Sequence, residues 1–235
     1  MTKHLLHDLD RLKKSLLTMG AMVEEATHRA IASLVERRPE LAEQVLEGDD
    51  AIDNRELEIE EDCLKILALH SPVAGDLRFI VAVMKVTNDL ERMGDLAQNI
   101  AERAQYLTTH EPLDAPIDFA RMLEKVRAMV TRSLDSLVEQ DTALARRVLA
   151  QDDEVDDLQK HMFSVLQDLM QRRPDTVERA VQTLSVARHL ERIADHATNI
   201  AEDVVFMVEG EILRHHPERW ARESSDSDRT RTSPR

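Results

Sequence analysis

An all-α fold, two pseudo-symmetric antiparallel three-helix bundles built from six long helices, is what the sequence predicts, on three observations. Turn-formers are scarce: five glycines and seven prolines in 235 residues, too few for the hairpins of a sandwich or barrel or for a dinucleotide-binding glycine loop. Aromatics are 3% and charged residues 33%, which leaves a core of Leu, Ile, Val, Ala and Met, helix-compatible residues on a charged exterior. The chain also repeats itself at an offset of about 100 residues.

The first element rests on Leu5, Leu9, Leu12, Leu16, Met19, Val23, Ala26 and Ala30, steps of four and three that mark a long helix packed nearly parallel to its neighbours. Prolines punctuate the rest of the chain. Helices are expected at 4–37, 40–69 and 74–108, then at 117–139, 142–172 and 175–213. Residues 1–110 form one three-helix repeat, 111–116 a linker within the run TTHEPLDAP, 117–213 the second repeat, and 214–235 a disordered tail with little to bury.

The repeat has two blocks. Leu41, Ala42, Val45, Leu46, Asp49, Asp50 and Asp53 recur 103 residues later as Leu144, Ala145, Val148, Leu149, Asp152, Asp153 and Asp156. VTNDLERMGDLAQNIAE, from Val86, recurs 100 residues later as VARHLERIADHATNIAE, with ten of 17 positions identical. The three-residue difference falls between LHSPVAGD and MQRRPD, where a turn tolerates a deletion.

Composition excludes several functions. A formal charge of −15 repels phosphate backbones, so no nucleic-acid partner is expected. A lone cysteine, Cys63, rules out a disulfide framework or thiolate zinc site and belongs in a helix core. No apolar run approaches the roughly 20 residues of a membrane span, and the start, MTKHLLHDLDRLKK, has no signal-peptide core, which points to the cytoplasm.

Two stripes share the third helix of each half. Val86, Leu90, Ala97 and Ile100 are spaced as a packing face. Glu91, Asp95, Asn99 and Glu102, repeated as Glu191, Asp195, Asn199 and Glu202, lie nearly opposite, where packing gives no reason for their identity. A solvated charged face would explain one copy. Antiparallel geometry weighs against it, because Asp49 and Asp53 on the second helix reach about the height of Glu91 and Asp95 across a short turn. Asp152 and Asp156 do the same with Glu191 and Asp195. Carboxylates about 6 Å apart repel by roughly 0.7 kcal/mol in water and nearly 3 at an effective dielectric of 20. A hard cation such as Mg²⁺, Mn²⁺ or an iron ion would neutralise each set, in an outer groove between the two helices.

The paired E-x-x-x-D and D-x-x-x-D motifs, the twofold repeat, and the blocks NDLERMGD and RHLERIADHATNIAED resemble the PhoU family, over about residues 5–213. The resemblance implies surface metal clusters and a cytoplasmic negative regulator of the phosphate-starvation response. Such a protein couples the phosphate ABC transporter, through its ATPase subunit, to a phosphate-sensing histidine kinase, and reaches the membrane only through these partners. It implies metal ligation by Asp49, Asp53, Glu91, Asp95, Asp152, Asp156, Glu191 and Asp195, with Asn99, Glu102, Asn199 and Glu202 as supports. Long exposed helices suit a homodimer. The family's Gly-Asp-His is here Gly94–Asp95–Leu96 in the first half and Ala194–Asp195–His196 in the second, so only the second retains a histidine.

Other patterns carry less. Glu25–His28 matches the E-x-x-H of di-iron proteins, which need a second such motif; none exists here. No Ser, Thr or Cys has an identifiable His-plus-carboxylate arrangement for covalent catalysis. Trp220 either anchors the chain end or belongs to the loose tail. Three classes compete: a non-enzymatic regulator, preferred; a phosphatase or oxidase with a multinuclear metal centre; and a metal-free helical scaffold.

Overall fold

The heptad seam becomes α1 (Lys3–Glu36), and Leu5, Leu9, Leu12, Leu16, Met19, Val23 and Ala30 are all buried. In this computed structural model residues 3–210 are described. Next come α2 (Pro39–His70) and α3 (Ala74–Thr108), the first entered through a proline at its N-terminus, where no hydrogen-bond donor is needed. Both turns need left-handed backbone, at Arg37 (φ 55°) and at Ser71 and Ala74 (φ 45° and 47°). Arg37 then donates to the carbonyls of Leu107, Thr108 and His110, tying the first turn to the far end of α3.

The second half begins at α4 (Phe119–Glu139), capped by Asp118 accepting from the Arg121 amide at 2.9 Å. The expected helix over 142–172 is interrupted. It forms α5 (Thr142–Leu149) and α6 (Asp152–Arg172), with a turn at Ala150–Gln151. Asp152, Asp153 and Glu154 fill the first turn of α6, where unpaired amides and the helix dipole favour negative charge. A short 3₁₀ turn (Pro174–Thr176) leads to α7 (Val177–Glu209). This last helix ends at Glu209 rather than reaching 213, because Gly210 takes a left-handed cap (φ 76°) with its amide on the Phe206 carbonyl. The tail expected over 214–235 lies outside the described residues.

The two-bundle plan holds. One bundle is α1, α2 and α3; the other is α4, the α5–α6 pair and α7; they join along α3 against α7 and α1 against α4. One apolar core runs through both, including Cys63, fully buried as expected. Each fully buried Leu, Ile or Met contributes about 1.5–3 kcal/mol.

The seam between bundles is partly polar. Lys85 Nζ lies 3.0 Å from Asp203 Oδ1, and His196 Nδ1 lies 2.8 Å from Asp89 Oδ1. Residue 85 meets 203 while 89 meets 196, so α3 and α7 run antiparallel. At equal rise per residue, Glu91 is then level with about Asp195, and Asp95 with about Glu191. Both acidic motifs therefore share one cross-section of the molecule, flanking the central helix pair.

Candidate metal centres

The first cluster is set where α2 and α3 approach closely. A Cβ added to Gly94 would lie 3.2 Å from Ile52, and the side chains of Asp49 and Asp53 on α2 share this level with Glu91 and Asp95 on α3. Their charges act on one another. Asp49 is pushed above the usual carboxylate range by burial, then by Asp53 and Asp95. Glu91 is pushed up by burial, then by Asp95, Glu56 and Asp53, against the pull of Arg92. Gln98 donates to Asp49 Oδ2 at 3.0 Å, and Arg92 reaches Asp95 Oδ2 and Glu91 Oε2 at 3.4 Å. That Glu91 oxygen is buried and accepts no hydrogen bond.

The second cluster lies between α6 and α7. Asp152 carries the largest shift, to about 6, caused by burial and then by Asp195, Asp156 and Asp153. Glu191 is raised by burial, Asp195, Asp156 and Asp152, and Asp195 by burial and Asp156. Lys160 pairs with Asp156 at 3.0 Å on the solvent side.

The structure thus brings each expected quartet into one electrostatic neighbourhood without closing it into a cage. Among the described residues, no three Asp, Glu, His or Cys side chains converge as a ready metal site. The donor set nonetheless fits a hard cation. It is all oxygen and most of it is partly buried. Five of its carboxyl groups, Asp49, Glu91, Asp152, Glu191 and Asp195, are held above the usual range by burial first and by neighbouring acids second, a cost that a bound divalent or trivalent ion would offset.

The supporting residues divide. Asn99 donates to the Asp95 carbonyl at 2.7 Å, and Asn199 reaches Asp89 Oδ1 at 3.5 Å across the seam. Glu102 pairs with Arg103 at 2.9 Å, and Glu202 is half-buried about two turns beyond Asp195. His196, the one histidine following a motif Asp, is engaged with Asp89 on the other bundle rather than with its own cluster. Glu56, absent from the sequence-derived set, adjoins the first quartet, its carboxyl raised by burial, Glu60 and Asp53. Its counterpart 103 residues on is Gln159, so a search for repeated acids passes over it; spacing three residues beyond Asp53 is the signal that remained.

The grooves on the described surface are open. One of about 180 Å³ adjoins the first cluster, lined by Glu25 and Arg29 of α1, Gln44 and Asp49 of α2, and Gly94 of α3.

Comparison with known proteins follows the repeat. The PhoU domain family matches residues 16–104 and again 119–204. A phosphate-specific transport system accessory protein PhoU homolog of Aquifex aeolicus is 43% identical over 211 residues, 90% of this chain and 96% of that one. The homolog of Pseudomonas aeruginosa is 37% identical over 88% of this chain and 86% of its own. Among solved structures, PhoU from Pseudomonas aeruginosa superposes with a TM-score of 0.82 at 36% identity, over 87% of this chain and 99% of that chain. The phosphate transport system regulatory protein PhoU from Streptococcus pneumoniae gives 0.79 at 28% identity, over 88% and 98%.

Proposed function

The chain belongs to the PhoU family, and from that premise we propose that it is a metal-binding cytoplasmic regulator of phosphate uptake. In this reading it represses the phosphate-starvation response by linking the ATPase subunit of a phosphate ABC transporter to a phosphate-sensing histidine kinase, and it does so as a homodimer without catalysing a reaction. The observation that carries the metal assignment is the pair of carboxylate quartets, Asp49, Asp53, Glu91 and Asp95 against Asp152, Asp156, Glu191 and Asp195. Burial and then neighbouring acids raise the carboxyl pKa values of Asp49 and Glu91 in the first and of Asp152, Glu191 and Asp195 in the second. Mg²⁺, Mn²⁺ or an iron ion would be held there by carboxylate oxygens alone, stiffening α2 against α3 and α6 against α7.

The adaptor role has three supports. Relatives are named accessory or regulatory proteins of phosphate transport. No helix among the described residues is long and apolar enough to cross a membrane, so contact with a transporter runs through protein surfaces. The two clusters face outward in one cross-section, where a bound ion can shape a docking surface. We place the boundary between the repeats at 111–116, between the two matched segments.

Deletion of the gene tests this reading. Starvation genes should switch on in phosphate-rich medium, wild-type chain should restore repression, and a chain lacking Glu91, Asp95, Glu191 and Asp195 should not. Normal repression in the deletion strain overturns the regulatory assignment; full rescue by the chain lacking those four carboxylates overturns the role of the metal.

A further inference from the structure

The end of α7 leaves a patch of apolar surface beside the start of α3. Leu77 and Val81, one turn apart on α3, are 40% and 43% exposed, and Phe206 on α7 is 38% exposed. Lys85 joins them, its ammonium 5.7 Å above the Phe206 ring and 3.0 Å from Asp203. Beneath runs an open groove of about 540 Å³ lined by Val81, Met84, Lys85 and the acids Glu60, Asp89 and Asp203.

The internal repeat says what belongs there. One hundred residues before Phe206 stands Tyr106, at the same place on α3. There the chain leaving the helix turns back: His110 stacks on Tyr106 with ring centroids 4.1 Å apart, and the Glu111 carbonyl accepts from Arg179 near the start of α7 at 2.8 Å. Leu113 of this linker and Ile117 just beyond it are half-buried, with Ile117 packed on the core. Tyr106 is correspondingly less exposed than Phe206. The counterpart of Arg179 is Phe79, which is buried in the core, so contact at this end would be apolar where the linker's is partly polar.

Gly210 ends α7 with a left-handed cap one turn after Phe206, so the chain leaves the helix beside this patch. Twenty-five residues follow it, and Leu213 stands where Leu113 stands in the linker. Their first half, EILRHHPERWAR, supplies Ile212, Leu213 and Trp220, with three arginines against two glutamates. Apolar residues with a basic excess complement an apolar patch whose groove carries Glu60, alongside Asp89 and Asp203 in their pairs with His196 and Lys85.

We propose that the segment Glu211–Arg222 docks on the α3–α7 patch, with Leu213 and Trp220 on Leu77, Val81 and Phe206, as the linker does on the opposite end of the molecule. This surface is independent of the metal clusters and of the assignment to phosphate regulation.

Trp220 is the sole tryptophan, so its fluorescence reports the contact in the full chain. Docking predicts emission to the blue of free tryptophan and weak acrylamide quenching, both unchanged on dilution. A Leu77→Asp, Val81→Asp chain, altered only at exposed positions and checked for its helical circular dichroism, should emit to the red and quench several-fold faster. Solvent-like emission from the wild-type chain overturns the proposal. So does a blue emission that survives the double substitution, which places the segment elsewhere, or one lost on dilution, which assigns the patch to a second copy of the chain. Should the double variant lose its helicity, Val81→Lys alone gives the same readout with the same consequences.

Discussion

Asp152 shows how a single residue joins stability to the proposed ligand. Its carboxyl titrates at about 6 in the folded chain against about 3.9 in an unfolded one. Between those values the folded state holds a proton that the unfolded state has released, so the metal-free fold gains stability as pH falls through 6 and loses it as pH rises. Melting in chelator should therefore occur at a higher temperature at pH 5.5 than at pH 7. Saturating Mn²⁺ should reverse the order, because protons then compete with the ion. Asp152→Asn should raise the metal-free melting temperature at pH 7 and flatten its pH dependence; an unchanged slope would remove Asp152 from the cause. The acids themselves were legible from the repeat, as was the height match of each quartet. What could not be read was their inequality. Asp49 lies inside α2, whereas Asp152 opens α6 after the turn at Ala150–Gln151, and burial leads the causes of its larger shift.

At the scale of elements, packing distance decides what a glycine is for. A Cβ on Gly20 would meet the Leu134 side chain at 2.2 Å, whereas one on Gly48 would meet nothing within 4 Å. Gly48→Ala should stabilise by about 0.5–1 kcal/mol through helix propensity alone. Gly20→Ala gains the same propensity but must displace a buried leucine between α1 and α4, at a cost of about 1–3 kcal/mol. Thermal melts of the two variants should move in opposite directions. The helices were legible because apolar spacing and prolines coincide, and Cys63 followed from its place in that spacing. The break in 142–172 was not, since RRVLAQDDEVDDL reads as continuous helix former. The competing preference of three consecutive acids for a helix N-terminus won there.

For the whole molecule, the antiparallel seam of α3 and α7 makes one object of two repeats. Two copies of a bundle could be read from sequence, but their mutual orientation could not, because the residues that fix it differ between copies. Asp89 and His196 pair across the seam, while their repeat counterparts are His189 and Leu96. Asp203 is 4% exposed and pairs with Lys85. Lys85→Met should thus cost about 1–3 kcal/mol, and Lys85→Met combined with Asp203→Leu should recover most of it, as read from urea midpoints. The same seam holds the two acidic motifs in one cross-section, so the proposed metal binding concerns both halves alike. Its most direct test is the metal content of purified, reconstituted protein. The wild-type chain should bind ions in both halves, and Glu91→Ala with Asp95→Ala, or Glu191→Ala with Asp195→Ala, should each lose about half without loss of helical signal. Removing all four should abolish binding, along with the stabilisation of about 2.7 kcal/mol expected at 100 times the dissociation constant. A wild-type chain that takes up no metal, or a chain without all four residues that keeps its full complement, would contradict the account.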